Sequence, residues 1–395
     1  MKTAAVICEY NPFHLGHAHQ LCEMGKNGAR VCIMSGSFTQ RGSAAVLSKY
    51  ERARLAVLAG ADLVLELPFP FCASGGEFFA RGGVAVAEGL SAVDTLCFGS
   101  ESGDTEAFLT AVKNTESAAF REALAAYLSE KKNASYRTAF GEVYRALYGE
   151  DVLFSGSNDI LGFLYVQALQ RSGSAILPQA LRRIGEDYNG DGVGFPSATS
   201  IRRMIRTGDE DELKKSVPSA VFDVLIEAMA ADHIADHEKF FPIFATAARA
   251  GLLSGADVFD VPAELADRIL CAAKAARNMD ELLSLAKTKN FSDSRIRRAM
   301  LMMFFGVRST DAEAVRYTTV LAANERGREI LSRARKTATL PILTKPADGK
   351  YLPPEARRAF ELVARADSVW ELLCEHPREG GAMLRERPRM VNTRS

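Results

Sequence analysis

A chain of 395 residues exceeds one typical hydrophobic core, so two or more domains are expected. Lys and Arg (49) balance Asp and Glu (49), which argues against a protein basic all over and leaves local patches as the route to nucleic acid. The 47% hydrophobic content is ordinary for a soluble globular protein, no apolar run is long enough to span a bilayer, and seven scattered cysteines without Cys-x-x-Cys suggest a reduced compartment. The N-terminus runs straight into a strand and lacks a signal peptide's tripartite pattern, so a cytoplasmic enzyme without a membrane anchor is expected.

In chain order, Ala4 to Ile7 is an apolar run of the right length for a buried first strand. Pro12 cannot sit in a central strand, so the strand ends before it. The loop Glu9-Tyr10-Asn11-Pro12-Phe13-His14-Leu15-Gly16-His17 then leads into a helical pattern, Ala18 to Met24. A helix N-terminus offers free N–H groups and partial positive charge, which suits phosphate. His14 and His17 are three apart and can face one space, and each can donate to a phosphate oxygen. Gly16 lets a backbone come close to a ligand. A metal pair, with His19 as third ligand, and a plain helix cap are the competing readings. No recognised ligand spacing surrounds these histidines, so no metal site is expected.

Ala29 to Met34 reads as a second strand, followed by the polar loop Ser37 to Gly42. Ser48 caps a helix over Lys49 to Ala59. Leu63 to Leu65 is a third strand, Glu77 to Gly89 a helix, and Val93 to Phe98 a fourth strand ending in Gly99-Ser100-Glu101. Strands alternating with helices predict an α/β fold with a Rossmann-like, doubly wound parallel sheet. Ligands bind such sheets beyond the carboxyl ends of the strands, where all four following loops carry polar residues. Residues 104–150 read as a helical insertion with charged faces. Ser155 to Asn158 is a turn or cap before a helix over Ile160 to Leu169, and Ile176-Leu177 a further strand. A Gly-rich loop (189–194) precedes Ser197-Ala198-Thr199-Ser200-Ile201-Arg202, small hydroxyls opening a helix with Arg202 as counter-charge. A plain N-cap would use the same Ser.

Beyond about residue 215 the strand pattern fades into Ala/Leu/Arg/Glu helices. A boundary is therefore expected between Thr207 and Pro218, giving domains 1–215 and 216–395, the second mostly α-helical. Two clusters each carry a net charge of +4. Residues 287–298 hold Lys287, Lys289, Arg295, Arg297 and Arg298 against Asp293. Residues 326–336 hold Arg326, Arg328, Arg333, Arg335 and Lys336 against Glu329. Either cluster alone fits a solvated helix face; the pair favours RNA phosphate contacts. The tail from Arg385 is basic and expected to be flexible.

The blocks Glu9-Tyr-Asn-Pro-Phe-His-x-Gly-His17, Met34-Ser-Gly-x-Phe-x-Gln-Arg-Gly42, Gly60-Ala-Asp-Leu-Val-x-Glu-Leu-Pro68, Phe98-Gly-Ser-Glu101, Asn158-x-Ile-Leu161, Arg183-Ile-Gly185 and Ser197-Ala-Thr-x-Ile-Arg202 resemble, in register, the bacterial tRNA(Met) cytidine acetate ligases. His-x-Gly-His alone marks only the wider nucleotidyltransferase superfamily. The chain departs from the family at Leu15, where Asn is common, and at Asp159, where a second Asn is common.

The resemblance implies a nucleotidyltransferase fold and ATP-dependent formation of acetyl-adenylate from acetate. The acetyl group then passes to N4 of the wobble cytidine of elongator tRNA(Met). His14, His17 and Arg202 are implied as catalytic. ATP is implied along Ile7, Cys8, Glu9, Tyr10, Asn11, Pro12, Phe13, His14, Leu15, Gly16, His17, Ala18, His19 and Gln20, with Gly99, Asn158, Arg183, Ser197 and Thr199. Gly99 is expected where a side chain would meet the adenosine. Lys287, Lys289, Arg295, Arg298, Arg333 and Arg335 are the expected tRNA contacts. Mg²⁺ is expected to bridge the phosphates, although no dedicated cage is visible. No obligate protein partner is implied. A small-molecule adenylyltransferase, or a silent RNA-binding protein on the same scaffold, remain as alternatives.

Overall fold

The computed structural model describes residues 2–25, 28–131, 136–149, 156–183 and 195–392. Ser155, Ile184, Gly185 and the loop 189–194 lie outside them. The apolar runs of the first half become the strands β1 (Thr3–Cys8), β2 (Ala29–Ser35), β3 (Leu63–Leu67) and β4 (Thr95–Ser100). β1 and β3 are buried along their whole length, as strands covered on both faces must be. The helices between them are α1 (Leu15–Glu23), α2 (Lys49–Leu58) and α3 (Gly76–Leu90). Ser48 caps α2 by accepting from Glu51 N at 3.2 Å.

Among the described residues, the insertion holds the helices α4 (Thr105–Thr115), α5 (Ala118–Glu130) and α6 (Tyr136–Tyr148). They are not fully solvated, since Phe108 is buried and meets Phe98 edge-on at 5.1 Å. After α7 (Ser157–Ser172), the strand expected near Ile176 begins one residue later and runs to Arg182, as β5 (Leu177–Arg182). The helix α8 (Ala198–Thr207) follows, capped by Ser197.

The second half holds α9 (Glu210–Ser216), α10 (Ser219–Ala230), α11 (Phe240–Arg249), α12 (Ala263–Ala275), α13 (Met279–Ala286) and α14 (Asp293–Phe305). It also holds α15 (Glu325–Ala334), α16 (Pro354–Leu372) and α17 (Ala382–Arg385). The expectation that strands end near residue 215 is corrected here. β6 (Thr318–Ala323), β7 (Ile342–Leu343) and β8 (Arg389–Met390) extend the same sheet. The order is β5-β4-β1-β2-β3-β6-β7, with β8 also on β6; the first five strands are parallel and β6 runs antiparallel to β3. The described part of the basic tail is likewise pinned: Met390 pairs with Ala323, and Arg389 meets Glu51 at 3.0 Å.

Buried charge ties the halves together. Lys49 of α2 lies 2.7 Å from both Glu66 of β3 and Asp367 of α16, and Ser37 Oγ donates to Asp367 at 2.6 Å. Burial opposes the charge on Lys49, but the two carboxylates outweigh it and raise its pKa. Removing one member would strand the others in a dry interior, a loss of about 3–5 kcal/mol. The winding order reverses between β1 and β4, because β2 and β3 lie to one side of β1 and β4 and β5 to the other. A crevice opens there at the carboxyl ends.

Candidate active site

A cavity of about 400 Å³ occupies that crevice. The segment leaving β1 forms its floor. Tyr10 takes a left-handed φ of 47°, a conformation costly for a bulky residue, and is held there by burial. Its ring packs on Phe13 and His17, both with centroids at 4.8 Å. His14 stands at the N-cap of α1 and its ring stacks on His17, centroids 3.6 Å apart and planes 22° off parallel. The His14 backbone N–H donates to His17 Nδ1 at 3.3 Å, so the neutral His17 carries its proton on Nε2.

Burial lowers the pKa of His14 to about 4, with Arg183 and Arg202 adding to the effect. Burial, then His14 and Arg183, holds His17 well below its ordinary value. Both rings are neutral without a ligand. Among the described residues, buried His14 Nδ1 has no hydrogen-bond partner. A polyanion arriving at these rings would be met by N–H donors already in place, and its charge would draw both pKa values upward.

Two arginines close the sides. Arg202 of α8 reaches back to donate to Asn11 O at 2.7 Å and to Thr199 Oγ1 at 2.9 Å. Arg183, just past β5, donates to Asn158 Oδ1 at 3.0 Å. Asn158 Nδ2 in turn donates to Glu101 at 2.6 Å, and Glu101 also accepts Asp159 N at 2.8 Å. Burial acts to raise the Glu101 pKa, but the donors from Asn158 and Asp159 outweigh it and the net shift is downward. Asp159, at the departure from the family pattern, is buried; its Oδ1 accepts Ser100 Oγ at 2.6 Å and Glu101 N at 2.9 Å. It braces the β4–α7 junction.

The structure therefore brings together most of the expected site. Glu9, Asn11, His14, Gly16, His17, His19 and Gln20 line the cavity. So do Gly99, Asn158, Arg183, Ser197, Thr199 and Arg202. Ile7, Cys8, Tyr10, Pro12, Phe13, Leu15 and Ala18 do not line it; Ile7, Cys8, Tyr10 and Phe13 are core side chains behind it. A Cβ at Gly99 would come within 3.2 Å of Arg183 Cγ, so the glycine makes room for Arg183. No group of three or more His, Cys, Asp or Glu side chains that could hold a metal occurs among the described residues.

Several supports escaped the reading of the sequence. Arg52 has no exposed surface and donates to the backbone oxygens of Leu47 (3.2 Å), Glu9 (2.6 Å), Ser35 (3.0 Å) and Gly36. It satisfies carbonyls that the ends of β1 and β2 leave unpaired. On a helical wheel it looks like any solvated arginine. The loop after β2 also faces the cavity, through Thr39, Arg41 and Ser43. Glu101 lay in one of the quoted blocks, but its role depends on a contact across 57 residues.

The two basic clusters part company. Lys287 pairs with Asp293 at 2.9 Å, Lys289 is exposed, and Arg295 pairs with Asp260. Arg298 donates to Gln40 O at 3.3 Å, and Gly42, at φ 75°, lies so close to α14 that a Cβ would fall 2.6 Å from Arg298 N. This cluster thus abuts the cavity's loop. In the other, Asn324 N donates to Asp62 O and Arg326 lies 3.8 Å from Asp62, which precedes β3. Thr339 N donates to Gly89 O, near the end of α3. Both flanks of the segment carrying Arg333 and Arg335 are anchored at the amino ends of the strands, away from the cavity.

A family model described as HIGH Nucleotidyl Transferase matches residues 1–382. The tRNA(Met) cytidine acetate ligase of Acetivibrio thermocellus is 32% identical over 401 residues, covering 95% of this chain and 96% of that protein. That of Listeria monocytogenes is 34% identical, covering 87% and 89%. The crystal structure of Thermotoga maritima TmcAL bound with alpha-thio ATP matches with a TM-score of 0.91 at 29% identity, both chains covered in full; its apo form matches at 0.88. With the histidine pair, the switch-point cavity and the whole-length similarity agreeing, the chain belongs to the HIGH nucleotidyltransferases and, within them, to the tRNA(Met) cytidine acetate ligases, a family of ligases.

Proposed function

We propose that this enzyme activates acetate with ATP as acetyl-adenylate and transfers the acetyl group to N4 of the wobble cytidine of elongator tRNA(Met). The observation that carries the reading is the stacked, neutral His14–His17 pair at the start of α1, flanked by Arg183 and Arg202 in one cavity. Acetate is a poor acyl donor until one oxygen becomes part of a good leaving group, and adenylylation supplies that. Attack on the α-phosphorus brings a carboxylate to a triphosphate, so preorganised donors must offset the repulsion. His17 Nε2–H and the two guanidiniums are suited to this. Gly99, Asn158 and Arg183 lie over β4 and β5 and suit the nucleoside end of ATP; Ser197, Thr199 and the start of α8 suit its phosphates.

Mg²⁺ would be carried by the phosphates and water, for no carboxylate cluster of the described residues could cage it. It would add charge neutralisation. For the tRNA, Arg298 and its neighbours at the mouth supply phosphate contacts, while identification of the anticodon needs unstacked bases. The test is incubation with ATP, labelled acetate and total tRNA, followed by nucleoside analysis. Labelled N4-acetylcytidine confined to tRNA(Met) is the expected result. Acetate-independent nucleotidyl transfer to a small molecule, or ATP binding without turnover, would replace this reading by one of its rivals.

A further inference from the structure

We propose that Glu9 receives the acceptor amine: its carboxylate accepts a hydrogen bond from N4 of the cytosine and takes the proton as the acetyl group transfers. The inference rests on the function just proposed. The cavity has two sides. Gly99, Asn158 and Arg183 stand over β4 and β5, whereas Glu9, Thr39, Arg41 and Ser43 stand toward β2. Glu9 immediately follows β1, the strand both sides share, and its Oε1 accepts Gln40 N at 2.7 Å. The side chain thus leans toward the β2 loop, away from the nucleoside side. Among the described residues no hydrogen-bond partner accompanies its second oxygen.

Glu23 also lines the cavity, but Glu9 is the carboxylate beside Arg41 and the β2 loop. A carboxylate facing a triphosphate is a liability if ATP is the sole occupant, since like charges repel across a few ångströms. It becomes useful if a hydrogen-bond donor also enters. The exocyclic amine of cytosine is such a donor, and a carboxylate is its natural partner at the base edge. The step balances. The N4 lone pair attacks the acetyl carbonyl carbon, the bond from that carbon to the phosphate oxygen breaks, and AMP leaves with the electron pair. One N4 proton passes to Glu9 and then to solvent.

Burial raises the Glu9 pKa, opposed by the Gln40 N–H, Arg52, Arg41 and Arg202. A carboxylate so raised is a stronger base than a solvated one. The charged and titratable groups acting on it are Arg52 of α2, Arg41 of the β2 loop, Arg202 of α8, Tyr165 of α7 and Cys72 after β3. Exposed Arg41 stands beside it on the same wall, placed for a flanking RNA phosphate.

The test separates two half-reactions in E9Q. Glutamine keeps an oxygen for the Gln40 N–H, so the loop anchor survives while the base is lost. Single-turnover transfer from preformed acetyl-adenylate to tRNA should fall by about 10²-fold or more beyond any fall in acetate-dependent ATP–pyrophosphate exchange. The rise of the wild-type transfer rate with pH should also vanish. E9D, which keeps a carboxylate, should retain that rise, and stands alone as the test if E9Q folds poorly. Equal losses in both half-reactions, a pH rise persisting in E9Q, or its loss in E9D would overturn the assignment. Wild-type enzyme that exchanges pyrophosphate but never acetylates cytidine would overturn the proposed function itself, and this role with it.

Discussion

The clusters at residues 287–298 and 326–336 have the same net charge and a similar spacing of arginines, yet they lie at opposite ends of one sheet. The first abuts the loop after β2 through Arg298 and Gly42, at the carboxyl ends where the cavity opens. The second is anchored to Asp62 and Gly89, at the amino ends. A parallel sheet is polar in this sense: its strand ends are chemically unequal, since helix N-termini with their free N–H groups follow the carboxyl ends. Charge of one sign therefore means different things at the two ends. The first cluster lies on the side of the sheet where the cavity opens, and the second on the side away from it.

The sharpest way to break this comparison is to cut into the carboxyl end itself. His17→Ala removes a preorganised donor and should lower acetate-dependent exchange by about 10²–10³-fold with the fold intact. The double reversal Arg333→Glu with Arg335→Glu should leave exchange unchanged. A folded His17→Ala variant with near-normal exchange would refute the placement of the chemistry.

Acidity should also strike the cavity end first. Burial depresses His14 to about 4, holds His17 well below its ordinary value, and lowers His237, which accepts Ala44 N beside the same loop, to about 3. The unfolded chain binds more protons than the folded one between the ordinary histidine value of about 6.5 and these lower values. Stability is thus present above pH 6.5 and lost as pH falls toward 4, on the order of 3 kcal/mol for His14 alone. Urea midpoints of the ligand-free protein at pH 7 and pH 5 measure it. The drop should shrink in His14→Gln, and an equal drop in that variant would count against the account.

Gly327→Ala tests the amino end. A Cβ there would run into Asp62 O, so overpacking should cost about 1–3 kcal/mol by denaturant titration. Exchange by the protein that remains folded should be normal. Lost exchange at full folding would mean that the two ends are coupled.

The smallest effect concerns tRNA. Arg298→Glu should reduce the slope of log affinity against log salt by about one unit, as expected for one lost phosphate contact, without affecting exchange. Reversal at Arg333 and Arg335 should leave the slope unaltered. If the far cluster changes the slope and Arg298 does not, the tRNA lies along the amino end and the comparison must be inverted.

Expectations held where the physics was local. The strand-loop-helix order around His14 follows from an apolar run, a proline and a helical pattern, all between Ala4 and Met24. Ser48 and Ser197 cap the helices they precede, because a cap bonds two or three residues ahead. The strand β6 was missed because Thr318–Ala323 is short, continuously apolar and set among helices, so its pattern alone could not separate strand from buried helix. The pinned tail was missed because its partner, β6, was missed.

By itself, then, the sequence determined the elements of the first half, the helix start that bears His14 and His17, and through its motif blocks the family. Each of these depends on side chains close together along the chain. Tertiary structure alone decided that Arg52 is buried under the ends of β1 and β2, and that Lys49 shares its charge with Asp367, 318 residues away. It also decided that Glu9 leans toward Gln40, and that one of two equal basic clusters abuts the loop bordering the cavity. These depend on which distant segments the folded sheet sets side by side, and local pattern leaves that pairing open because it is chosen by the fit of the whole core.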